Sequence, residues 1–208
     1  MRVSLGVAVF AALFVVGSGS WAGVIPVTNA DFDSPSCPSG SCVPAGWTVN
    51  NKAGEWMPTS GTFNSIPDGL TQVAYANASS SLTQIVATTL ALETTYTLTV
   101  EVGNRIGDAF GPVVELLAGS TVLGTATGVT PTSGDWDLWT LVFDSGASNA
   151  AVGQSLEISL GSTVQQTSFV EVSLSSTPDQ VGSVPEPAMF ALVGAGLLGL
   201  VTRRRFAR

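Results

Sequence analysis

From residue 94 to residue 102 the chain alternates without a break. Tyr96, Leu98, Val100 and Val102 are separated by Thr95, Thr97, Thr99 and Glu101. A period of two gives an extended strand one apolar and one polar face, and it leaves no continuous stripe for a helix. The same pattern returns in Trp139, Leu141 and Phe143, in Leu156, Ile158 and Leu160, and in Val170, Val172 and Leu174. Shorter strand candidates occupy residues 24–27, 46–49, 72–75 and 81–86. Residues 112–118 and 121–127 flank Gly119-Ser120 as a hairpin. Residues 50–68 read as irregular, anchored by Trp56, Met57 and Phe63. No amphipathic helix separates these strands, so the sequence predicts an all-β, antiparallel sandwich or barrel.

The two ends have a different character. Arg2, the apolar run 3–16 and Ser20-Trp21-Ala22 form a secretory signal peptide, a helix cut after Ala22 by signal peptidase. At the other end Pro185-Glu186-Pro187 is followed by fourteen uncharged residues, 188–201, and then by Arg203, Arg204, Arg205 and Arg208. The prolines fix an extended, accessible Glu186. The apolar run measures about 21 Å as a helix, short of roughly 30 Å of hydrocarbon. Length alone leaves a core helix or an interfacial segment open. The arginines favour a membrane helix with a cytoplasmic end.

This tripartite tail resembles the sorting signal of bacterial PEP-CTERM proteins. The resemblance implies an exosortase as partner, Pro185, Glu186 and Pro187 as the processing motif, and passage through the inner membrane on the C-terminal helix before release to the surface or medium. The organisation expected is a signal peptide at 1–22, a β-domain at 23–175, a linker at 176–183 and a sorting signal at 184–208.

Residues 23–184 carry fourteen acids against two bases, Lys52 and Arg105, a net charge of −12. Nucleic-acid binding, which needs a basic footprint, is excluded. The chain has no histidine, so neither a Ser-His-Asp nor a Cys-His centre is available. Cys37 and Cys42, alone in a Pro/Ser/Gly loop of an exported chain, suit a disulfide, with free thiols as the alternative. Glu101, Asp108, Asp135 and Asp137 supply carboxylates for a glycosidase, but acids in strand-end loops are ordinarily just solvated. Of the tryptophans, Trp47 and Trp139 read as core. Trp56, beside Glu55, and Trp136, between Asp135 and Asp137, are the loop candidates for stacking on a sugar ring.

Asn29-Ala-Asp-Phe-Asp33, Pro44-Ala-Gly-Trp47, Ser81-Leu-Thr-Gln84, residues 94–100 with Gly103-Asn-Arg105, Leu117-Ala-Gly119 and residues 169–174 occur in one order. That order resembles the galactose-binding-like jelly-roll domains of exported proteins, a fold shared with carbohydrate-binding modules. It implies a structural calcium between Asp33 and an aspartate of the last strand. Here Val170 holds the aspartate's position and Glu171 follows it, on the opposite face if the alternation is unbroken. The expectation is a non-enzymatic surface protein associated with, and binding, polysaccharide. The alternatives are a purely structural matrix protein and a carbohydrate-active enzyme.

Overall fold

The structure, a computed structural model, describes residues 22–179. The signal and sorting helices, Pro185, Glu186, Pro187 and Arg203 to Arg205 lie outside the described residues. Among the described residues, eleven strands form two antiparallel sheets packed face to face, a jelly-roll-like sandwich. They are β1 (Gly23–Ile25), β2 (Thr48–Asn50), β3 (Ala53–Trp56), β4 (Val73–Asn77), β5 (Ser80–Thr89), β6 (Thr94–Gly103), β7 (Pro112–Ala118), β8 (Thr121–Thr125), β9 (Trp136–Asp144), β10 (Ser155–Ser162) and β11 (Gln166–Pro178). One sheet runs β3-β4-β11-β6-β9, with β1 beside the second half of β11; the other runs β2-β5-β10-β7-β8.

The alternation in β6 does what its period requires. Tyr96, Leu98, Val100 and Val102 are buried, as are Leu156, Ile158 and Leu160 of β10 from the facing sheet. Leu141 joins them from β9, and Trp139 and Phe143 pack on the same core. Trp47 is core too. Its ring lies 5.0 Å from that of Phe32, and its Nε1 donates to the Thr28 carbonyl at 3.0 Å.

Three boundaries differ from the sequence reading. β3 falls inside the stretch read as irregular. Ala53, Gly54 and Glu55 are all buried, so no polar-apolar alternation marks the strand. β9 begins at Trp136, which pairs with Gly103, so Trp136 and Asp137 are strand residues rather than loop residues. β11 continues to Pro178, paired with Thr94.

The fourth difference matters most. Phe169, Val172 and Leu174 reach the core, a spacing that requires one extra residue in the strand. Val170 stands opposite Glu101, and the register then shifts before Ser173 meets Thr99. Glu171, at φ 52°, occupies this β-bulge. A bulge breaks the two-residue period, so Val170 does not share a face with Val172. Alternation read back from Leu174 and Val172 would have set Val170 in the core. The bulge instead puts Phe169 there and Val170 on the outer face opposite Glu101, and it brings Glu171 among the acids of that face.

Candidate active site

Directly paired residues share a face, so the register shows what the outer face of the first sheet carries. One row crosses all five strands as Gly54, Tyr75, Ser168, Gly103 and Trp136. Small residues in the middle of that row leave a trough between the aromatic ones. A Cβ on Gly103 would lie 2.8 Å from the Trp136 ring, so the indole rests on bare backbone. A Cβ on Gly54 would meet Ser41 Oγ at 2.6 Å and the Cys42 carbonyl at 2.7 Å, so the loop closed by the Cys37–Cys42 disulfide sits over that glycine. Buried Gln72 holds this loop from within, donating to the carbonyls of Phe32 and Pro35 at 3.0 and 3.1 Å and accepting from the Cys37 amide.

Next to the row opens a cleft of about 410 Å³. Trp56 and Tyr75, edge to face at 6.4 Å, form its aromatic wall, and Arg105 and Asn77 face them. The next row along the face carries Trp56 and Val73 on one side, and Glu101 and Leu138 on the other.

Carboxyls gather at that second row. Burial pushes Glu171 above the usual carboxylate range, helped by the charge of Asp68, a hydrogen-bonding approach from Asp68, and the charges of Glu101 and Asp31. Glu101 is raised by burial and by the charges of Asp137 and Asp68. Two carboxyls within hydrogen-bonding reach disfavour their joint ionisation, which is why Asp68 adds to the raising of Glu171. Asp68 arrives on the loop between β3 and β4, in a single 3-10 turn with φ 50°. Trp136 latches that loop, its Nε1 donating to the Ser65 carbonyl at 2.9 Å and its ring 4.8 Å from Phe63.

Buried polar atoms in folded proteins nearly always have a partner. Among the described residues, Glu171 Oε1, Ser168 Oγ, Trp56 Nε1 and Glu55 Oε1 have none. The first three belong to this face and its bulge, as expected of groups whose partner is a ligand.

The sequence candidates divide. Trp56 lines the cleft. Trp136 lies on the same face but four strands away, about 19 Å at the usual strand spacing, so the two do not form one stacking platform. Asp135 is a turn residue. Hydrogen bonds from Thr132 and Asn64 hold its carboxyl below the usual range, which suits an ionised loop anchor and not an acid. Asp137 pairs with Val102 and acts on the site through its charge on Glu101. Asp108, named as raw material for catalysis, is ion-paired to Arg105 at 3.6 Å. Tyr75, Ser168, Asp68 and Glu171 carried no motif. Only the offset of Glu171 from an expected aspartate pointed to it.

Asp33 is exposed, and its carboxyl acts on Glu55, not on the last strand. Among the described residues no group of three acid or cysteine side chains could hold a metal ion. Glu55 is fully buried and receives one long bond, from Asn29 Nδ2 at 3.5 Å. Burial, against that bond and with the charge of Asp33, raises its pKa from 4.5 to about 7. An acid raised on folding favours the folded state fully below its unfolded pKa, and that contribution disappears as pH rises through the folded one. Stability should therefore fall from pH 5 to pH 8 in a Tm series. Glu55→Gln should remove up to about 3 kcal/mol of that fall. An equal slope in the variant would show that Glu55 does not carry it.

The HpiC1 cyclase family model matches residues 23–175, nearly three quarters of the chain. The chain belongs to the HpiC1-like family. A cyclase from Fischerella sp. TAU is 28% identical over 77% of this chain and 100% of its own, with a TM-score of 0.67. The Stig cyclase FisC of the same organism, solved with (3Z)-3-(1-methyl-2-pyrrolidinylidene)-3H-indole, is 27% identical over 77% of this chain and 100% of its own, with a TM-score of 0.65. A Fischerella cyclase solved with 4-(1H-indol-3-yl)butan-2-one is 27% identical over 76% and 100%, also at 0.65. No curated protein sequence matches the chain. These findings overturn the expectation of a non-enzymatic domain: the HpiC1-like body points to a cyclase. The PEP-CTERM protein-sorting motif matches residues 183–205, so the HpiC1-like domain sits on an exported, surface-sorted chain.

Proposed function

We propose that this chain is an exported cyclase that closes a ring on an aromatic, indole-type substrate, with Glu171 as the proton donor. One observation carries the reading. A carboxyl with one oxygen unpartnered, raised above the usual carboxylate range by burial and by the charge of Asp68, stands on a face whose other unpartnered atoms are Ser168 Oγ and Trp56 Nε1. The family and the indole compounds bound by its relatives supply the substrate class.

The chemistry needs no oxidant. Protonation of a substrate double bond by Glu171 creates a cation, and a neighbouring π bond attacks it to close the ring. Loss of a proton to the carboxylate so formed then restores aromaticity and the acid. Product and substrate are isomers. Aromatic faces at Trp56 and Tyr75, and the negative charge around Glu101, favour the transient cation.

The test is to incubate the protein with 3-alkenylindoles and follow chromatographic retention at constant mass. A new isomer should form, and Asp135→Asn should leave the rate within about twofold, because that residue serves a turn. No isomer from any alkenylindole would sink the reading.

Sorting is tested separately. Exosortase and signal peptidase processing predict an intact mass, in the native host, that begins at Gly23 and ends near Pro185-Glu186-Pro187. A mass that retains Arg208 would make the tail a lasting anchor.

A further inference from the structure

We infer that the Arg105 end of the cleft is a carboxylate-binding subsite and that the aromatic substrate of this chain carries an acidic substituent. The inference rests on the cyclase reading of this face and names its substrate class more narrowly.

Arg105 is the only arginine in residues 23–184, where the sole other base, Lys52, is exposed ahead of β3. In a body with fourteen acids, this cation lines the cleft. It is held there from three sides. Its guanidinium carbon lies 5.2 Å from the centre of the Trp56 ring, Nη1 donates to Gln166 Oε1, and Asp108 approaches the same nitrogen at 3.6 Å. Both polar contacts use Nη1. Nη2 and Nε make no hydrogen bond within the described chain, so a side chain fixed by packing retains two free donors. Apart from Asp108, the polar groups on this lining are neutral: Asn77, Gln165 and Gln166 bring amides, and Tyr75 a hydroxyl tied to Ser41 at 2.7 Å. Asp108, three residues along the same loop, is the one carboxylate on this lining. A planar fork with free donors, among amides, matches a carboxylate.

Gln166, which meets Arg105 in the cleft, and Glu171, which stands beyond the cleft lining, lie on one strand, five residues or about 16 Å apart. A small molecule with an aromatic ring and a short side chain can engage both, its carboxylate at Arg105 and its reacting carbon toward Glu171. Such anchoring at a distance from the reacting atoms fixes which carbon meets the acid.

The test compares two indoles that differ at one group, by isothermal titration with the whole protein. One is 4-(1H-indol-3-yl)butan-2-one. The other is 3-(1H-indol-3-yl)propanoic acid, in which a carboxylate replaces the methyl ketone. The acid should bind about tenfold more tightly. Arg105→Gln should erase that preference, the ratio of acid to ketone affinity falling to about one, and Arg105→Lys should restore part of it. A general loosening of the fold would weaken both ligands alike. Equal binding of acid and ketone, or a preference that survives in Arg105→Gln, would overturn the subsite and leave the cyclase reading standing. If neither indole binds, the aromatic-substrate reading fails, and the subsite with it.

Discussion

Glu171→Gln is expected to lower ring closure by about a thousandfold while leaving indole binding within about threefold. A positioned general acid contributes roughly 10²- to 10⁴-fold, and glutamine keeps the shape of the side chain while removing its transferable proton. The pH profile adds a sign that a purely structural role would not show. Burial and the charges of Asp68, Glu101 and Asp31 raise Glu171, so the active, protonated form is lost as pH rises. Activity should decline on the alkaline side. Asp68→Asn removes a neighbouring negative charge and a hydrogen-bonding partner that both raise Glu171, so the alkaline limb should move to lower pH. A limb unmoved by Asp68→Asn, or a Glu171→Gln variant of undiminished activity, would take the acid role away from this residue.

Gly103→Val is the second large effect. The first atom of any side chain at 103 would sit 2.8 Å from three atoms of the Trp136 ring, and two methyl groups follow it. The indole must leave the sheet, giving up its bond to Ser65 and its contact with Phe63, and the loop that carries Asp68 loses its latch. Overpacking of this kind destabilises by about 2 kcal/mol, visible as a lower denaturant midpoint. Activity should fall well beyond what the lost stability explains, with the alkaline limb displaced as in Asp68→Asn. Gly103→Val combined with Trp136→Ala should recover part of the stability and none of the latch. Wild-type stability and an unshifted profile in Gly103→Val would mean that Trp136 does not position Asp68.

How much of this could be seen in the sequence depended on how strictly a residue obeys its local period. β6, β10 and the core half of β9 were legible because one face is buried and the other wet, and the register leaves no choice. β3 was illegible because Gly54 and Glu55 are buried by the disulfide loop and the first loop, contacts that come from distant parts of the chain. The site suffered most from the bulge. A rule of alternation set Val170 in the core with Val172 and Leu174, and a single left-handed residue put Phe169 there instead. Nothing in the local sequence marks it, since a glutamate rarely adopts positive φ and no glycine stands there. Asp135 and Trp136 drew notice for their residue types, but their partners, Thr132, Asn64 and Ser65, assign them to holding loops. Arg105 stood out in the sequence only as one of the two bases of residues 23–184. It pairs with Asp108, and only the ring of Trp56, brought across from β3, puts it in a cleft.

The central claim is that the outer face of the β3-β4-β11-β6-β9 sheet is where an indole is bound and protonated. A crystal structure of the protein with 4-(1H-indol-3-yl)butan-2-one tests it most directly. The account predicts the indole against Trp56 and Tyr75, with Glu171 Oε1, Ser168 Oγ or Trp56 Nε1 gaining the partner it lacks. An indole bound to the five-stranded β2-β5-β10-β7-β8 sheet, or anywhere that leaves those three atoms unpartnered, would contradict it.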